Sequence, residues 1–369
     1  MNTITISLIS ILISLASSAS IATNYKLACR DETGNPVDWF TIYKLPSLAK
    51  NVFSKWIPEG SGYAFMTEKN QTWSLSSQSI ANLTSMPALT LDILYKSTFD
   101  NNNNMGYILY NDQFNNKSDL DFGHAKGIVL FDDKSIVWIV HSIPEYPPMQ
   151  AKGHYGIGSS QLFYGQSMVC LSLNISALEQ IGKQLLLTYP QIYDSFIPDS
   201  LKTLSPSFTL VYNRKRNALS PFSNVEVLKT LGNNEFVAMH KSTYFANDLY
   251  SELVAKYSKS NLFVETWSRG NGTMQSDCAS SYPVHNVDVI NFKSYTASFK
   301  ITSDHSKWAI STADTSDKYL CIGDINRQWS QFKRGGGTVC FKNNLKVWQS
   351  YYNIIDLVEP CSNESQIIL

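Results

Sequence analysis

A chain of 369 residues with 43% hydrophobic and 12% aromatic content can bury one large core or two ordinary ones, which excludes disorder as its default state. Its 30 basic residues balance 30 acidic ones, so it lacks the global positive field of many nucleic-acid binders. A nucleic-acid ligand, if there is one, must be gripped locally.

The chain opens with "MNTITISLISILISLASSASIA", an apolar run ending in small residues. It reads as a cleaved signal peptide over residues 1–22, with Ala19 or Ala22 as the last residue before the cut, although its n-region holds no Lys or Arg. The run is short for a membrane span, and no later segment approaches about 18 uninterrupted apolar residues, so no membrane anchor is expected. Six cysteines follow, an even set suited to three disulfides, and they are too widely spaced for a Cys-x-x-Cys zinc site. Six glycosylation sequons, at Asn70, Asn82, Asn116, Asn174, Asn271 and Asn363, agree with passage through the secretory pathway.

From about Asn24 to Ser176 the chain reads as short strands separated by polar turns, with "YKSTFDNNNNMG" a loop by composition. "SALEQIGKQLLLTYP" has helical spacing at Leu178, Ile181 and Leu185 and stops at Pro190. The region from about Ile192 to Asn224, rich in proline and carrying the basic cluster "NRKRN", is the expected junction or insertion. A second α/β series follows, with an amphipathic helix over "NDLYSELVAKYSK" and strands around "DHSKWAIST" and "KYLCIGDIN". "KRGGGTVC" is expected to be a loop that needs unusual backbone angles, or else backbone amides that approach a phosphate.

One motif occurs twice: His124-x-Lys126 in "FGHAKGIVLF" and His305-x-Lys307 in "DHSKWAIST". In a strand, residues i and i+2 point to the same face, which would set each histidine beside its lysine. That combination suits a phosphate, since imidazole can attack phosphorus or move a proton while ammonium neutralises the non-bridging oxygens. Two facing pairs supply the nucleophile and leaving-group acid that an in-line displacement needs on opposite sides. "HAKGIVLFDDKSIVWIVHS" reads as a hairpin; a two- or four-residue loop puts His141 opposite Lys126, and a three-residue loop puts it on the other face. His154, His240 and His285 show no partner pattern and read as structural or surface residues. The central residues of serine hydrolases, zincins and P-loop enzymes are absent, as is convincing two-metal acidic spacing, so a phosphodiesterase here is expected to work without metal or other cofactor.

The chain resembles the deoxyribonuclease II family over nearly all of its mature length. The matching stretches include "NPVDWFTIYKLP", "LYND", "GHAKG", "VWIVHSIPEYPP", "YGQSMVCLS", "GKQLLLTYP", "NDLYSELVA", "DHSKWAIS" and "CIGDINRQWSQFKRGGGTVC", in order. The resemblance implies an α/β, phospholipase D-like pseudo-dimer of two mixed-sheet halves, residues 23–205 and 206–369, sharing one central active site. It also implies acid-favoured, metal-independent cleavage of a DNA substrate to 3′-phosphate and 5′-hydroxyl ends, in the lysosome or outside the cell. Carried over by position, His124, Lys126, His305 and Lys307 are catalytic, His141 matches a further family histidine, and Asn326 in "GDIN" falls near a segment that phospholipase D relatives use. The family pattern pairs Cys29 with Cys170, Cys278 with Cys361 and Cys321 with Cys340. Two positions depart from it: Asp132 is eighth rather than seventh after His124, so no aspartate is given a catalytic role, and Ala309 stands where relatives often have cysteine. A phospholipase D-type lipid hydrolase and a secreted nucleic-acid-binding paralogue that does not cut remain as alternatives. The sequence indicates no obligatory protein partner and leaves a homodimer open.

Overall fold

The computed structural model describes residues 26–114, 120–268, 270, 272–361 and 367–368, so the expected signal peptide and the sequons Asn116, Asn271 and Asn363 lie outside the described residues. Two mixed α/β halves stand side by side, as expected. The first carries an eight-stranded sheet and the second a ten-stranded one. The strands of the first sheet end at Phe196 and those of the second begin at Ser223. A helix at Pro206–Tyr212, capped by Ser205, bridges this region.

Both sheets contain the same run of five antiparallel neighbours. In the first it is Met105–Asn111, Lys126–Asp132, Ser135–His141, Gln166–Asn174 and Trp39–Lys44. In the second it is Leu262–Glu265, Trp308–Ser311, Tyr319–Gly323, Gly336–Lys342 and Glu235–Lys241. Each His-x-Lys leads into the second strand of its run, so the two motifs occupy matching places.

The strands read as continuous apolar runs because both faces of each sheet are covered. Along Ser135–His141, Ile136, Trp138 and Val140 enter a core shared with the second half, while Val137 and Ile139 enter a core private to the first. Along Tyr319–Gly323, Leu320 and Ile322 join the shared core and Cys321 the private core of the second half. The sheets thus pack face to face, and Trp39 crosses the seam with its ring centroid 4.9 Å from that of Phe341. Disulfides join Cys29 to Cys170, Cys278 to Cys361 and Cys321 to Cys340. The last links directly opposed residues of neighbouring strands.

The helix Leu178–Thr188 forms where its spacing places it and buries Leu178, Ile181 and Leu185. A second helix, Met86–Lys96, replaces the all-strand reading of the first half; Ser85 caps it and Pro87 lies in its first turn, a start signal that its nearly unbroken apolar sequence obscures. "NDLYSELVAKYSK" is not a regular α-helix. It runs as a π-helix over Tyr250–Val254 and then an α turn over Ala255–Ser258. The three glycines of "KRGGGTVC" also differ from expectation, since none has positive φ and Gly336 and Gly337 open a strand. What they supply is closeness: a β-carbon on Gly337 would overlap the ring of His240, and one on Gly335 would overlap the Thr188 carbonyl. Among the described residues, no helix is long and apolar enough to cross a membrane.

Candidate active site at the seam between the sheets

The hairpin register is the one that puts His141 opposite Lys126. Phe131 pairs with Ile136 and Gly127 with Val140 across a two-residue turn at Asp133 and Lys134, and the next pair in that ladder is Lys126 with His141. Asp132 closes this turn, accepting from the backbone N–H of Lys134 (2.8 Å) and Ser135 (2.7 Å), at the far end of its strand from Lys126.

The i, i+2 strand argument does not hold as expected. The regular strands begin at Lys126 and at Trp308, leaving His124, His305 and Lys307 in the segments just before them. These segments are held by the opposite half. The His124 amide donates to the Gly335 carbonyl (2.8 Å), and the His305 amide donates to the Gly165 carbonyl (2.8 Å). Gly165 and Gly335 precede matching strands, Gln166–Asn174 and Gly336–Lys342. Each catalytic candidate is therefore positioned by a glycine across the seam.

Side chains complete the crossing. His124 Nδ1 hydrogen-bonds the Asp324 carbonyl, so a neutral ring donates there and leaves Nε2 with its lone pair. Burial, then the positive charge of Lys126, depresses His124 well below the ordinary histidine range, and Arg334 and Lys307 push in the same direction. Lys126 pairs with the Asp112 carboxylate, whose other oxygen accepts from Arg334 of the second half (2.9 Å). Arg334 also donates to the Phe122 (3.0 Å) and Gly123 (3.2 Å) carbonyls, clamping the segment that carries His124. Lys241 steadies the Arg334 loop in turn, donating to the carbonyls of Gln331 (2.9 Å) and Arg334.

On the other side, His305 stacks on Tyr164 at 4.0 Å and lies 4.8 Å from the Trp267 ring. Lys307 Nζ donates to the His305 carbonyl (2.7 Å) and its amide to Ser167 Oγ (3.0 Å). Burial, then repulsion from Lys126, pushes Lys307 down to about 7. Burial pushes the Asp324 carboxyl up to about 7, against the pull of a Gly337 hydrogen bond and the charges of Lys126 and Lys307. Asp304 is fixed by the Tyr43 hydroxyl and by Ser306 (2.9 Å). Glu265 is fully buried near Asp304 and Lys307, and neither carboxyl oxygen has a hydrogen-bond partner among the described residues.

His141 is buried, and its Nδ1 accepts the Ile143 amide (3.2 Å). Burial and then Lys126 push it down to about 3, which keeps it neutral in mild acid. Asn326 is buried two residues beyond Asp324, and its Oδ1 has no hydrogen-bond partner among the described residues. His154 is exposed, and His240 stacks on Trp138 in the seam. His285 lies with its Nδ1 3.9 Å from Cys361 Sγ, but Cys361 and Cys278 are joined as a disulfide and offer no thiolate for a metal. Of the described sequons, Asn70 and Asn174 are exposed and Asn82 is half-buried.

No sequence motif points to Asp112, Arg334, Asp324, Tyr164 or Glu265. Asp112 and Arg334 lie within stretches already matched to the family, but nothing in their spacing says that they meet. One consequence of the crossing is testable. A β-carbon at Gly165 would overlap Asp304 Oδ1, so Gly165→Ala must displace either Asp304 or the backbone that holds His305. Overpacking of this kind costs about 1–3 kcal/mol. Were His305 catalytic, as the sequence leads one to expect, a shift of about 1 Å would lower the rate roughly 10²-fold, and a thermal melt read beside the rate separates that loss from unfolding.

The sequence model of the family described as Deoxyribonuclease II matches residues 28–361. Plancitoxin-1 from Acanthaster planci is 34% identical over 348 residues, covering 93% of this chain and 94% of that protein. Deoxyribonuclease-2-beta from Rattus norvegicus is 32% identical, covering 91% and 93%. Cell death-related nuclease 6 from Caenorhabditis elegans is 32% identical, covering 92% and 90%. Among solved structures, the yeast tyrosyl-DNA phosphodiesterase aligns with a TM-score of 0.30 and 11% identity over 66% of this chain and 69% of that one.

Proposed function

The chain belongs to the deoxyribonuclease II family of DNA-hydrolysing enzymes, and from that premise we propose that it is an acid endonuclease with a phospholipase D-like pseudo-dimeric site that needs no metal. The observation that carries the reading is the exchange of backbone bonds that sets His124 and His305, one from each half, at the same seam with Lys126 and Lys307.

In this mechanism His124 Nε2 attacks the scissile phosphorus while Nδ1–H stays on the Asp324 carbonyl, which supports the positive ring as the P–N bond forms. The P–O5′ bond breaks, and O5′ takes a proton from His305, which acts in its imidazolium form. Neutral His305 then takes a proton from water as that water attacks the phosphohistidine. This releases a 3′-phosphate and restores both rings. Lys126 and Lys307 hold the non-bridging oxygens. His141, opposite Lys126 in the hairpin and neutral in mild acid, does not carry protons in this scheme, and the buried Asn326 Oδ1, with no hydrogen-bond partner among the described residues, is the polar atom assigned to the phosphate. Three disulfides and the sequons support a route through the secretory pathway to the lysosome or the exterior.

The titrations set the sign of the pH dependence. As pH rises through about 7, Lys307 loses its charge and Asp324 gains one, and both changes weaken the hold on a phosphate dianion or monoanion. In EDTA, kcat/KM for plasmid nicking is expected to be highest in mild acid and to fall above about pH 7. Asp324→Asn should make that fall shallower. A strict need for divalent metal, or a rate that climbs above pH 8, would rule this mechanism out.

A further inference from the structure

The basic cluster over residues 213–217 is not a stray solvated loop. Its central feature is Arg216, whose guanidinium carbon lies 5.0 Å from the Tyr189 ring centroid and 5.2 Å from that of Tyr244. Arg214, in the left-handed region at φ 56°, donates to the Tyr212 carbonyl and to Ser195 Oγ (3.3 Å). Arg214, Lys215 and Arg216 are all exposed. None of them takes part in the ion pairs formed among the described residues. Three adjacent unneutralised cations are a strong local excess in a chain whose net charge is 0.

The cluster is wired to the reacting centre. Tyr189 closes the helix Leu178–Thr188 in the left-handed region at φ 52°, and its carbonyl accepts the Gly123 amide (2.9 Å). Its ring stacks on Phe122 at 5.0 Å and 21°. Arg216 therefore reaches Gly123, the residue before His124, through one tyrosine. A guanidinium within cation–π distance of two rings is biased toward that place while its N–H donors stay available to an anion. The planar fork matches the oxygens of a phosphodiester better than an ammonium would.

We propose that Arg214, Lys215 and Arg216, with Arg216 seated between Tyr189 and Tyr244, form a second binding surface that grips the DNA backbone outside the cleft and leads the strand to His124. The inference rests on the reading that the substrate is DNA. It adds to that reading a local positive track through which a neutral protein holds a polyanion.

The test is direct binding of a fluorescein-labelled duplex at pH 5 in EDTA, followed by anisotropy over a range of salt. His124→Ala serves as the background, so that no cleavage occurs. Adding Arg214→Ala, Lys215→Ala and Arg216→Ala should raise Kd about 10-fold and flatten the slope of log Kd against log salt by roughly 2–3. Arg214→Lys with Arg216→Lys should restore the slope, because the charges return, but not the full affinity, because the forks do not. An unchanged Kd and salt slope in the triple alanine variant, with the same melting temperature, would overturn the inference. The outcome is separate from whether the unmutated chain cuts DNA, since that is read by nicking and this by binding.

Discussion

His124→Ala is expected to lower plasmid nicking at pH 5 in chelator by ~10³-fold or more, and His305→Ala to do so on DNA to a similar extent. The two losses should part company on a thymidine 3′-(p-nitrophenyl phosphate) ester. Nitrophenolate leaves without needing a proton, so a chain lacking only His305 still releases a burst of about one nitrophenolate per chain before hydrolysis of the phosphohistidine stalls, whereas a chain lacking the nucleophile releases none. His124 is assigned as nucleophile because its Nδ1 is committed to the Asp324 carbonyl, which leaves Nε2 to attack, and because burial and Lys126 both favour the neutral ring. A histidine that was cationic at pH 5 could not attack. The ester should therefore be cleaved by the His305 variant and left intact by the His124 variant. The reverse pattern would exchange the roles, and undiminished nicking by either variant would remove the mechanism.

Asp112→Asn is expected to cost about 3–5 kcal/mol of stability, because it leaves two buried cations, Lys126 and Arg334, without their counter-charge. Burial alone would raise the Asp112 carboxyl, but Lys126, His124 and Arg334 outweigh it and hold the group well below the usual carboxylate range. A folded-state value below the unfolded one stabilises the protein at every pH above the unfolded carboxylate range and is lost only as pH falls through the depressed value. The ion pair thus survives at the pH of an acid compartment, where ordinary surface carboxylates begin to protonate. A thermal melt at pH 5 should show the variant's midpoint several degrees lower, with nicking reduced beyond what the unfolded fraction explains. A midpoint within about 1 °C of the parent would mean that the pair holds nothing together.

Much of the site was legible in the sequence because its signals are short-range. Two His-x-Lys motifs can be counted, and the Asp133–Lys134 turn fixes the partner of Lys126 by parity. Strand interiors such as "GIVLF" and "IVWIV" declare themselves by being apolar on both faces. What stayed hidden depends on residues that meet only after the sheets dock. Asp112 and Arg334 are 222 positions apart, and nothing local marks either as the partner of Lys126. The glycines of "KRGGGTVC" look like turn formers in sequence and prove to be places where two chain segments nearly touch. Their role is set by Thr188 and His240, which belong to other elements. The helix Met86–Lys96 was hidden for the opposite reason, since it is apolar nearly all round and shows no polar stripe to reveal its period.

The exchanged bonds, His124 to Gly335 and His305 to Gly165, have a consequence for how this chain can vary. Each histidine takes its backbone hydrogen bond from the opposite half, so neither half sets the position of its own histidine alone. A change in the backbone beside Gly335 is felt at His124 of the first half, and one beside Gly165 at His305 of the second. The spacing of one sheet thereby sets the position of the histidine carried by the other.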